Sequence, residues 1–216
     1  MADITAAEDA GVLWLATLQR AVARASHDVK DALNGVSVNL EVIRSRSRRP
    51  DTPASAVAQF AEAAGQQLER LTTLIEAVLA LGRAEREPVD VAVTLRRIAT
   101  LCGASASSAD ASVEVRDDGV DVTLTRVRGD AVRLAIAAPL LEAVTGTGTD
   151  RTPSPAAVVC TITEQEDDVV VSIHAAPRRV VMPDAVADVL RAAGVRWTEG
   201  QQDKTGEDLS LVFPRA

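Results

Sequence analysis

The side chains best equipped for chemistry cluster in one stretch, Ser26-His27-Asp28-Val29-Lys30-Asp31-Ala32-Leu33-Asn34. A heptad frame set on the apolar residues puts Leu33 and Leu40 on a, with Ser26 before them. Val22, Val29, Val36 and Ile43 fall on d. His27 then falls on b and Asp28 on c, both facing away from the seam. A neutral imidazole nitrogen is nucleophilic near pH 7. A histidine turned outward from a packed helix, with an acid beside it, is placed to exchange a group with a partner. His174 ends a strand-like run with no Cys or His at ligand spacing, and reads as structural. Cys102 and Cys160 lack C-x-x-C spacing and read as reduced thiols. Gly146 and Gly148 hint at a phosphate loop, but no Lys or helix follows them. Arg44, Arg46, Arg48 and Arg49 read as a solvated helix end, where positive charge suits the dipole.

A long helix must carry His27. It is expected to open near Ala6 to Asp9 and run to about Arg48, interrupted by no proline. That is about 40 residues, or about 60 Å. Pro50 to Pro53 make a turn, and a second helix follows from about Ala54 to Gly82. Its frame has Ala61, Leu68 and Ile75 on a, and Ala64, Leu71 and Val78 on d. A lone antiparallel hairpin offers each seam only one facing helix, so two hairpins are expected to pair into a four-helix bundle, making the protein a homodimer.

The pattern changes after Pro88, and a domain boundary is expected near residues 83–88. Val89 to Val93 reads as a short strand and Thr94 to Leu101 as a helix. Gly103 to Ala111 reads as a loop. Ser112 to Arg116 and Val120 to Val127 alternate like a hairpin turning at Asp117-Asp118-Gly119. A helix is expected over Asp130 to Val144, and a strand pair over Ala157 to Thr163 and Asp168 to His174, turning through the acidic run Glu164 to Asp168. Pro183 to Ala193 reads as a helix, then Val195 to Thr198 and Asp208 to Phe213 as strands. The fold class is therefore α + α/β in two domains: a helical hairpin over residues 1–85, and an α+β sandwich over 86–216 with a helical layer on a mostly antiparallel sheet.

Composition narrows the partners. Only Trp14, Phe60, Trp197 and Phe213 are aromatic, and the net charge is −8, so neither base stacking nor phosphate attraction favours nucleic acid. No apolar run approaches the roughly 20 residues of a membrane span, and the acidic start is unlike a signal peptide. The expectation is a cytoplasmic protein receiving its input from a soluble partner.

His27, Asp28, Lys30 and Leu33 resemble the H-box of sensor histidine kinases, a His, an acid, a variable residue, a basic residue, Thr or Asn, then Pro and Leu. Asp31 and Ala32 depart from that pattern. The order of elements after Pro88, and the ending Gly206 to Pro214, are similar to the ATP-binding domain of the same family. In that family an Asn-rich helix holds Mg²⁺ and phosphate oxygens. Here the corresponding helix, Ala131 to Val144, has no Asn; Glu142 and Ala138 stand at the aligned positions. The family's Asp-x-Gly-x-Gly is replaced by His174-Ala175-Ala176-Pro177-Arg178, and a Gly-rich loop is missing between Pro177 and Val186. Loss at all three motifs implies that no ATP is bound.

The resemblance then implies a histidine phosphotransferase of a phosphorelay, shuttling a phosphoryl group between aspartates of response-regulator receiver domains through His27. Asp28 would steady the ring and Lys30 would counter phosphoryl charge. The chain would need no cofactor of its own, Mg²⁺ coming with the receiver. The family's water-orienting Thr or Asn is replaced by Asp31, which implies weak phosphatase activity. Asp31, Asn34, Gly35, Val38 and Val42 form a stripe suited to a receiver helix, or to ordinary bundle packing. Two other classes stay open: a non-catalytic pseudokinase dimer that binds a response regulator or kinase, and a divergent ATP-dependent histidine kinase.

Overall fold

A computed structural model describes residues 2–49, 53–83, 87–104, 112–117, 123–145, 157–176, 179–200 and 208–216. Helix α1 (Ala2–Ser47) is unbroken, as the lack of proline predicts, and α2 (Ser55–Leu81) returns antiparallel along it. Pro50 to Thr52 of the connecting turn lie outside the described residues. Near that turn Arg46 is drawn inward. Its guanidinium lies 4.7 Å from the Phe60 ring centre and donates to the Ala56 carbonyl at 2.7 Å. The arginine cluster is therefore partly a hairpin clasp.

Strand β1 (Val89–Asp90) is shorter than the expected Val89 to Val93, because helix α3 (Val91–Ala104) begins at once. Asp90 explains the difference. Its Oδ1 accepts from the Val93 N–H at 3.0 Å and from the Thr123 hydroxyl at 2.6 Å, capping the helix inside a valine-rich run. The expected hairpin from Ser112 to Val127 does not form. Strand β2 (Ser112–Asp117) runs parallel to β4 (Ala157–Gln165), whereas β3 (Leu124–Thr125) pairs with β1. Alternation identified the strand but not its neighbour, since a sheet with one covered face can satisfy the same pattern with any partner. Asp118 and Gly119 of the expected turn lie outside the described residues. So do Gly146, Gly148, residues 84–86 of the expected boundary, and most of the Gly103 to Ala111 loop.

Strand β5 (Asp168–Ala176) pairs antiparallel with β4 through a turn at Glu166 and Asp167, as the acidic run suggested. With β6 (Arg196–Glu199) and β7 (Asp208–Pro214) the sheet runs β2-β4-β5-β7-β6, one parallel junction and three antiparallel. Its alternate residues Val158, Cys160, Ile162, Val169, Val171, Ile173, Leu209, Leu211 and Phe213 are buried under the helical layer. His174 lies on the opposite face, in register with Val159 and Asp208.

The layer consists of α3, α4 (Gly129–Thr145) and α5 (Asp184–Ala192). Helix α4 is apolar on nearly every side, Arg133 being buried with its neighbours, and from Ala131 to Val144 only Glu142 escapes full burial. A helix without a polar face needs cover on every side. The sheet covers one side, α3 and α5 flank it, and the first half of α1 closes the last. Ala10, Trp14, Leu18, Ala21 and Ala25 of α1 join the same core as Phe213 of the last strand. The protein is thus a helical N-terminal part on a mixed α/β sheet domain.

Candidate functional site

Two packing demands share α1. Up to Ala25 its buried residues belong to the core of the sheet domain, whereas Val36, the next buried one, lies outside that core. His27 sits just past this change and is exposed. Asp31, Asn34 and Val38 follow it at helical spacing and are exposed with it, so the outward stripe is real over these four residues.

The seam within the hairpin differs from the expected a and d positions. On α1 the covered positions are d and g, with Val36 and Ala25 buried and Val29 and Ala32 half-buried. On α2 the covered residues are Ala64, Leu74, Ala77 and Leu81. The a residues Leu33, Leu40, Leu68 and Ile75 stay between 46% and 54% exposed. On a helical wheel the d and g positions are flanked by a on one side and c on the other. The c side is closed within the chain and the a side is open.

That geometry splits the expected site. Asp28, Gly35 and Val42, all on c, turn towards α2 and are half-buried, contrary to the outward reading of Asp28. Asp28 accepts from the Arg70 guanidinium of α2 at 2.5 Å. The carboxylate next to His27 is thus engaged across the hairpin. A Cβ on Gly35 would lie 2.4 Å from the Gln67 side-chain amide, so this glycine admits Gln67 rather than a foreign helix. Lys30 is exposed on the flank of the His27 stripe. Sequence reasoning missed Arg70 and Gln67. Arg70 occupies c in its own helix, which reads as solvent until the seam is known to be d and g.

Beside this site α2, α3 and β2 enclose a groove of about 460 Å³. Arg70 and Arg96 reach it, with Thr73 and Thr100, over a floor that includes Leu74, Val113 and Val115. Arg96 is also paired with Asp117, which holds that carboxyl below its usual range. At the aligned metal position, burial pushes the Glu142 carboxyl up, partly offset by the Arg20 guanidinium of α1. Ala138 is buried. Among the described residues no cluster of His, Cys, Asp and Glu could hold a metal ion, and no helix is long and apolar enough to cross a membrane.

No curated protein matches the chain. Among solved structures it is similar to the blue-light activated histidine kinase of Erythrobacter litoralis, at 16% identity and a TM-score of 0.45, covering 90% of this chain and 62% of that one. It is similar to the histidine kinase ThkA in complex with response regulator protein TrrA, at 13% identity and a TM-score of 0.46, covering 94% and 63%. A bacterial phosphotransferase is similar at 12% identity and a TM-score of 0.42, covering 92% and 95%. The chain thus spans less than two thirds of the first two. Residues 17–87, which hold the hairpin and His27, match the family model of the His Kinase A (phospho-acceptor) domain.

Proposed function

We propose that this protein is a cytoplasmic histidine phosphotransferase of a two-component phosphorelay. As a homodimer, it moves a phosphoryl group between receiver-domain aspartates through His27 and binds no ATP. The match of residues 17–87 to a phospho-acceptor domain supports His27 as the accepting residue. In the forward step a ring nitrogen attacks the phosphorus of an aspartyl phosphate. The N–P bond forms, the P–O bond breaks, and the receiver carboxylate leaves. The second receiver's aspartate reverses these events and restores the neutral ring. Lys30 screens the incoming charge, and Asp28, once released by Arg70, steadies the ring N–H that is not attacked. Mg²⁺ belongs to the receiver. Asp31, Asn34 and Val38 form the docking stripe, and Asp31, where a water-orienting Thr or Asn would stand, keeps phosphatase activity weak.

The observation that carries transfer over ATP-dependent phosphorylation is the enclosure of α4. By the resemblance, this helix would present Mg²⁺ and phosphate ligands to a nucleotide. Here it is largely apolar, with Arg133 buried, and is closed in by α1, α3, α5 and the sheet. The same α1 anchors the sheet domain through Trp14, which argues against that domain swinging towards His27. The open a residues Leu33, Leu40, Leu68 and Ile75 support the dimer, since a second hairpin would cover them.

A phosphorylated receiver domain incubated with the protein is expected to transfer label to wild type and not to His27→Ala. A second reading, a binding module without transfer, draws on the engagement of Asp28 by Arg70. It predicts tight receiver binding and no label. Label arriving from radiolabelled ATP would instead establish the kinase.

A further inference from the structure

We propose that the groove between α2, α3 and β2 is a binding site for a small organic anion with an apolar body, and that its occupancy is communicated to His27 through Arg70. The groove matches that ligand in three ways. Its volume of about 460 Å³ suits a small molecule rather than a lone ion. Leu74, Ala99, Val113 and Val115 give it an apolar wall. Arg70 and Arg96 enter it from different helices, each on an exposed side chain.

Neither guanidinium is exhausted by its aspartate. Each carries five N–H donors in a fixed fork, and its aspartate bond uses only part of that fork. Two forks facing one groove can hold a carboxylate or phosphate by charge-assisted bonds. The Thr73 and Thr100 hydroxyls donate to the Glu69 and Arg96 carbonyls, at 3.0 and 2.9 Å. Their oxygens can still accept a bond from the ligand's own hydroxyl or protonated oxygen.

Arg70 is common to both sites. It grips Asp28, the neighbour of His27. An anion held by the remaining donors of that guanidinium draws it into the groove, which loosens its bond to Asp28 and frees that carboxylate for the imidazole. Only this coupling rests on the phosphotransfer reading; the binding itself does not.

Phenyl phosphate is a suitable probe, with benzylamine as its cationic counterpart, added to the 216-residue chain and followed by amide NMR. The proposal expects phenyl phosphate, but not benzylamine, to shift the amides of Thr73, Thr100, Gly103 and Val113. Arg96→Gln, on an exposed side chain, is expected to weaken binding by about tenfold or more. Absent shifts, equal shifts with both probes, or indifference to Arg96→Gln would each overturn the site. Phosphoryl uptake from a labelled receiver is then compared with and without probe. Faster uptake in wild type but not in Asp28→Asn supports the coupling. An unchanged wild-type rate with the groove occupied overturns the coupling while leaving binding intact. Failure of His27 to label at all would instead count against the proposed function.

Discussion

At the scale of residues, the position beside His27 matters as much as His27. Asp28 looked like a free acid on a solvent face, yet Arg70 holds it from the opposite helix. An exposed ion pair of this kind contributes at most about 1 kcal/mol, so its importance is positional rather than energetic. Gly35 illustrates a different balance. An added Cβ would strike only the far end of the Gln67 side chain, whose Oε1 is buried without a hydrogen-bond partner. Gln67 can swing away at little cost, while alanine in a helix interior is worth about 1 kcal/mol over glycine. Gly35→Ala is therefore expected to raise stability by about 0.5–1 kcal/mol. A lower urea midpoint would mean that Gln67 is needed where it lies.

At the scale of elements, α1 has two roles along one axis. Its first half is a lid on α4 and its second half is one side of the hairpin. Trp14 fixes the lid: it is buried, and Arg133 of α4 lies over its ring at 5.8 Å. Trp14→Ala should cost about 3–5 kcal/mol, read from denaturant unfolding. Native-state hydrogen exchange should remain slow up to about Ala25 and quicken beyond it; uniform protection along α1 would contradict the division.

Glu142 gives α4 a pH dependence. Burial raises the Glu142 carboxyl above the ordinary 4.5 despite Arg20. Above that value the unfolded chain is ionised while the folded chain still holds the proton, so this group's contribution to stability falls as pH rises through the folded value. Glu142→Gln should remove that slope. The variant should be more stable than wild type near pH 7.5, with the difference shrinking towards pH 4.5. Parallel stability curves for the two proteins would argue against it.

At the scale of the whole molecule, the single chain leaves Leu33, Leu40, Leu68 and Ile75 uncovered along one side of the hairpin. A second copy of the hairpin covers that side in the proposed dimer. Leu40→Lys with Ile75→Lys should shift the protein from dimer to monomer in sedimentation, with the helical content of the sheet domain retained. A wild type that sediments as a monomer at micromolar concentration would remove the homodimer.

How much of this was legible in the sequence differs by scale. The long helix, its return, the β4–β5 pair and the outward stripe of His27, Asp31, Asn34 and Val38 follow from local periodicity and turn chemistry, which a chain carries residue by residue. Three features depended on contacts between distant segments. One is the partner of β2, another the choice of d and g for the hairpin seam, and the third the closure of α4 by α1. Alternation states which face of a strand is apolar without naming its neighbour. A heptad likewise states that a helix has an apolar side without saying which edge of it meets its own hairpin and which is left for a partner. Sequence alone therefore determined that His27 faces outward. Only the tertiary structure decided that Asp28 is held by Arg70, because that pairing needs two helices set in register by the packing of everything between them.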